Sequence, residues 1–231
     1  MKTPLLYKVY QTLRRGWKHI SPEAQQALQA FVASQKTDED YMNAGGAPDA
    51  YYQQFGEVLE AVFSPHKLLT HPVRLTVYES QHTDTIYGRF FDFLQWEISP
   101  VHRLSTGYAL DLASCPLGEL NITNAICCIL SMQHQTGQQP DPSLIVWLQQ
   151  HQDTTGGFYA SDQAPIPDLL STAVALFTLR LVSAQVRDAT DFIQAHWLGN
   201  GGFAPTLYDD YSDVEYVFYG LLAIGANFTN G

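Results

Sequence analysis

Residues 148–179 read LQQHQDTTGGFYASDQAPIPDLLSTAVALFTL: the end of an amphipathic helix, a turn holding Gly156-Gly157-Phe158, and Asp168 opening an apolar helix. The pattern returns in 192–225, FIQAHWLGNGGFAPTLYDDYSDVEYVFYGLLAIG, with Gly201-Gly202-Phe203 and Asp213. A looser copy fills 31–63, FVASQKTDEDYMNAGGAPDAYYQQFGEVLEAVF, with Asp49. Three residues after each aspartate stand Tyr52, Ser171 and Tyr216, and seven after it stand the small residues Gly56, Ala175 and Gly220. Weaker copies begin at Asp84, with Tyr87 but with Phe91 in the small-residue place, and at Asn121, with Asn124 and Cys128. Anchors at 49, 84, 121, 168 and 213 are spaced for one helical hairpin per repeat, each burying its apolar face against its neighbours.

The residue types fit that reading. An aspartate at a helix start accepts orphan backbone N–H groups and lies well in the helix dipole. A glycine pair allows the left-handed backbone needed to leave one helix and turn back. Residues 168–182 and 213–228 are apolar almost all round, as inner helices are, whereas 143–152 is amphipathic, as an outer helix is. The expected fold is therefore all-α, a closed or curved array of helix pairs forming one domain over 1–231. An N-terminal helix is expected at 4–17, and the clearest repeats span 28–63, 142–182 and 192–226.

Composition narrows the function classes. Twelve Lys plus Arg against 23 Asp plus Glu leave a charge of −11, which would repel nucleic acid. The imbalance is uneven: residues 91–231 carry 14 acids and only Arg103, Arg180 and Arg187 as bases. The start is the reverse, with Lys2, Lys8, Arg14, Arg15 and Lys18 and no acid, and such a segment could lean on an anionic membrane surface. No secretory signal or transmembrane stretch is expected, and the chain reads as cytoplasmic. Three cysteines without CxxC or histidine-paired spacing suggest neither a disulfide framework nor zinc.

The Gly-Gly-Phe turns, the aspartate caps and the helix DVEYVFYGLLAIG at 213–225 resemble the repeats of protein prenyltransferase β-subunits and of the terpenoid (squalene, hopene) cyclases. The resemblance is best over 142–226, looser over 28–63 and weak between. It implies an α/α toroid, or barrel, of about five to six helical hairpins, either incomplete or closed by the N-terminal helix. It also implies an isoprenoid or similarly long apolar substrate in a central cavity. The repeats are scaffold, so they say little of activity. The Asp-x-Cys and His that hold zinc in the prenyltransferases have no counterparts here: Asn121-Ile122-Thr123 and Tyr216 stand in their places. The cyclases' Asp-x-Asp-Asp motif is missing too.

Asp209-Asp210-Tyr211-Ser212-Asp213 matches the DDxxD pattern with which isoprenoid synthases grip a diphosphate through Mg²⁺, so Asp209, Asp210 and Asp213 are candidate metal ligands; the other reading is a solvated acidic turn ending in an N-cap. Arg89 either faces the lumen, toward a diphosphate, or lies on the outer surface. Tyr51, Tyr52, Phe55, Tyr87, Phe90, Phe91, Tyr216, Phe218 and Tyr219 lie on the first turns of inner helices and either line an apolar ligand pocket, with Tyr52, Tyr87 and Tyr216 around its mouth, or pack between layers. His151 and His196 fall in outer helices as exposed or structural residues. Two function classes result: a prenyltransferase-like or cyclase-like protein of isoprenoid substrates, or a non-catalytic toroid that binds an apolar ligand or a protein partner, such as a partner subunit.

Overall fold

The computed structural model describes residues 2–37, 40–43, 46–66, 85–99, 108 and 121–228. Among them run nine helices: α1 (Leu5–His19), α2 (Pro22–Ser34), α3 (Ala50–Phe63), α4 (Ile86–Ile98), α5 (Thr123–Thr136), α6 (Pro142–Gln150), α7 (Leu169–Leu181), α8 (Thr190–Ala195) and α9 (Val214–Asn227). The chain is mostly helical, as expected. Two antiparallel pairs were not anticipated: β1 (Lys36–Thr37) with β2 (Asp40–Tyr41), and β3 (Phe158–Tyr159) with β4 (Pro167–Asp168). No helix among the described residues is long and apolar enough to cross a membrane.

The three strong repeats have the local chemistry their sequences require. Asp49, Asp168 and Asp213 are the N-caps of α3, α7 and α9, accepting from the backbone N–H of Tyr51 (2.8 Å), Ser171 (2.7 Å) and Tyr216 (3.0 Å). The turns repeat as well. Bridges between Met42 and Pro48, Gln152 and Phe158, and Trp197 and Phe203 close three loops of equal length. The fourth residue past each bridge start is Gly46, Gly156 or Gly201, with φ of 77°, 96° and 100°, where a β-carbon would be strained. In the second and third copies the cap follows ten residues after the phenylalanine, whereas Asp49 follows Pro48 directly, so the first copy is a shortened form.

The two weak copies depart from the pattern. The cap of α4 is Thr85, whose Oγ1 accepts from Gly88 N at 3.0 Å, and Asp84 lies outside the described residues. Asn121 caps nothing: α5 starts one residue later than that reading requires, with Ile122 at the N-cap and no side-chain bond. Its first turn is held by Thr123 Oγ1 donating to Tyr159 O at 2.6 Å.

The inner helices pack in the order α3, α9, α7, α5, α4, while α2 lies on α3 and α9, α6 on α5, and α8 on α9. Residues 220–227 of α9 are buried without interruption, which explains a helix apolar on every side. The starts of α5 and α7 are each met by the following copy. Thr123 N bonds Ala160 O at 2.9 Å, and Leu169 N bonds Pro205 O at 2.9 Å, the two acceptors holding the same place in successive copies. At α9 the partner is the first copy, through Tyr51 and Tyr52 of α3.

Helix α1 lies across the opposite, C-terminal ends. Its backbone N–H at Leu5 donates to Glu97 of α4 at 2.6 Å, Lys8 Nζ to Gln135 Oε1 of α5 at 2.8 Å, and Arg15 Nη1 to Gly225 O of α9 at 2.9 Å. Tyr10 and Arg14 bond the carbonyls of Ala61 and Val62 on α3, and Lys2 bonds that of His134. This accounts for an acid-free basic start: cations are favourable where helices end and carbonyls lack partners. Leu5, Leu13 and Trp17 supply the buried side of α1.

Candidate functional site

The caps and first turns of α3, α7 and α9 gather carboxyl groups and phenols at one end of the molecule. Tyr51 Oη donates to Glu215 Oε1 at 2.6 Å, and the Tyr52 phenol lies beside the Asp213 carboxyl. Both pairs join residues some 160 positions apart, the first repeat to the last. Behind them runs an aromatic ladder. Phe55 meets Tyr51 edge-on at 5.0 Å and Phe218 at 5.1 Å, and Phe218 meets Tyr219 at 5.4 Å.

Burial dominates the electrostatics here. It pushes the carboxyls of Asp168, Asp213 and Glu215 up, against the backbone N–H bonds that cap-held Asp168 and Asp213 accept and against the Tyr51 bond to Glu215. Among the described residues none of the three acids pairs with Lys or Arg. The same burial, aided by Asp213 and Glu215, pushes the Tyr52 phenol up to about 12, and Tyr216 and Tyr219 rise further. His196 completes the cluster. Fully buried, it places Nδ1 2.8 Å from Phe192 O, so the proton sits on Nδ1, while Nε2 has no partner. Burial lowers its pKa although Asp168 and Asp209 oppose that, and the ring is neutral.

The structure sorts the candidate residues. Tyr52, Phe55, Tyr216 and Tyr219 belong to this cluster, and Tyr87, about 38% exposed on the first turn of α4, lies near Tyr219. Arg89 is half-buried on α4, where its carbonyl accepts from Tyr108 Oη at 2.9 Å. The acidic turn does not act as one unit. Asp209 Oδ2 accepts from Thr206 N and Oγ1 at 3.0 and 2.6 Å, Asp210 is exposed, and Asp213 is buried as the cap. Among the described residues no three His, Cys, Asp or Glu side chains come together so as to hold a metal ion.

Among the described residues, cavities of about 380 and 210 Å³ are found, and none of Tyr52, Tyr87 and Tyr216 lines either. The larger is a cleft between α2, α8 and the end of α9, walled by Trp197, Phe203 and Phe228.

Tyr51 was expected only as one of the first-turn aromatics, and Glu215 and His196 were not singled out from sequence as members of the site. A signal for the last existed: His151 and His196 occupy the same place, one before the bridge residue, and each bonds the carbonyl four residues back at 2.8 Å. Compared with models of known protein families, with curated proteins and with solved structures, the chain matches none.

Proposed function

We propose that the chain is an α/α toroid of helical hairpins that binds a long apolar molecule, isoprenoid or similar, by a polar head at its acid- and tyrosine-rich end. The pairing of Tyr51 with Glu215 and of Tyr52 with Asp213 carries the reading, because it ties the first repeat to the last around one end. The toroid also draws support from the way the starts of α5 and α7 meet the next copy.

The chemistry favours a head that donates hydrogen bonds or bears positive charge. Three carboxyls without basic partners among the described residues, ringed by phenols and aromatic faces, attract an amine or alcohol and repel a diphosphate. A second reading, an isoprenoid-diphosphate enzyme using Mg²⁺ on Asp209, Asp210 and Asp213, keeps the DDxxD spacing in its favour.

Thermal unfolding with farnesylamine, farnesol, or farnesyl diphosphate with Mg²⁺ separates the two. The binding reading expects the amine to raise Tm most, and Glu215→Gln to reduce that gain. A gain confined to the diphosphate, requiring Mg²⁺ and lost in Asp209→Asn with Asp210→Asn, would establish the second reading instead.

A further inference from the structure

At the opposite end, between α1 and the last turns of α7 and α9, lies the smaller cavity of about 210 Å³. Three basic side chains, Lys8, Arg15 and Arg180, converge on it over a floor of Phe177 and Leu181. In a chain of charge −11 that has three bases beyond residue 90, this concentration is against the odds of composition. We propose that Lys8, Arg15 and Arg180 form a binding site for a small oxyanion of the phosphate class, free or as the head of a phosphate ester.

Three observations carry it. Among the described residues none of the three cations forms an ion pair. Their donors are largely unused: Lys8 gives one hydrogen bond, to Gln135, and Arg15 one, to Gly225 O, while the Nε of Arg180 is buried with no partner. Glu97, the acid acting on Lys8, is engaged with Leu5 N and Gln135 Nε2.

Partly buried like charges without a counter-ion are unfavourable, and burial followed by repulsion from Lys2 lowers the Lys8 pKa. The ends of α7 and α9 answer this only with fractional negative charge, and Gly225 O is already taken by Arg15. A tetrahedral oxyanion accepts from several cations at once, and guanidinium forks match its oxygens. The volume is below the roughly 300 Å³ at which drug-sized pockets begin, which suits an ion or head group rather than a whole lipid.

The test titrates the full chain with inorganic phosphate and pyrophosphate, against sodium chloride of equal ionic strength, reading Tm and calorimetric binding. A parallel arm measures sedimentation with phosphatidylcholine vesicles with and without phosphatidic acid. Binding of either free anion, weakened about tenfold or more in Arg180→Gln and in Lys8→Gln, supports the free-ion form. Sedimentation only with phosphatidic acid, lost in the same variants, supports the head-group form. Without any anion, Arg180→Gln should unfold at the same or a higher temperature than wild type, because a repulsive charge is gone. A phosphate effect no larger than that of chloride, together with no vesicle binding, overturns the proposal, as does binding unchanged in both variants.

Discussion

Gly16 of α1 and Gly225 of α9 face each other where the two helices cross, and a β-carbon on either would overlap a backbone carbonyl, that of Leu221 or of Thr12. Backbone lies against backbone at this point, and neither obstacle is a side chain that can swing aside. Gly16→Ala, although favourable for an isolated helix, is expected to destabilise the protein by about 1–3 kcal/mol, read by urea unfolding. A neutral or stabilising result would show that α1 sits further from α9.

The caps give a local test. Asp168→Ala removes the acceptor of Ser171 N, and a loss of about 1 kcal/mol is expected from chemical denaturation. Asp168→Asn should recover most of it. Equal losses in the two variants would mean that the charge, not the cap, matters.

The Asp213 carboxyl is pushed up by burial, so folding favours its neutral form. The stability this lends is complete below the ordinary aspartate value of about 3.9 and is lost as pH rises through the raised folded value. Asp213→Asn keeps a capping oxygen and cannot ionise. Relative to wild type, the variant should therefore gain stability as pH rises from about 4. Asp141 and Asp188, whose carboxyls are held low by hydrogen bonds, act oppositely but equally in both proteins. A Tm difference flat with pH would refute a raised Asp213.

Tyr51→Phe deletes the 2.6 Å bond to Glu215 and leaves a half-buried carboxyl with one donor fewer. A loss of about 1 kcal/mol is expected, because Tyr51 is itself 40% exposed and water replaces part of the bond. The loss should shrink in Glu215→Gln, and a double-mutant cycle measures that coupling.

Where the sequence was readable, the signal was local. Asp49, Asp168 and Asp213 cap because one carboxylate serves N–H groups two or three residues on, and Gly46, Gly156 and Gly201 turn because their own φ requires it. Asn121 misled for the same reason: it stands at a cap's spacing, but α5 is anchored by a carbonyl from another copy, at Tyr159. The candidate site was half readable. Tyr52, Phe55, Tyr216 and Tyr219 announce themselves by their repeated position, yet Glu215 matters only through Tyr51, at a distance in sequence that no periodicity reports. The basic start was the hardest. Its partners are carbonyls at the ends of α3, α5 and α9, a demand created by the fold and invisible in any one segment.

The placement of α1 bears on the order of events in folding. Residues 5–19 leave the ribosome long before 214–227, yet α9 is the helix on which α1 chiefly rests. Until α9 is made, the apolar stripe of Leu5, Leu13 and Trp17 has no complete partner surface, and the cations beside it face carbonyls not yet in place. Contacts that span most of the chain carry a large loop-closure entropy and form late. The nascent protein thus exposes a sticky segment throughout synthesis, a natural client site for a chaperone. Joining the two ends of the chain and reopening it elsewhere would place α1 and α9 side by side in sequence, shortening that exposure and speeding the final docking.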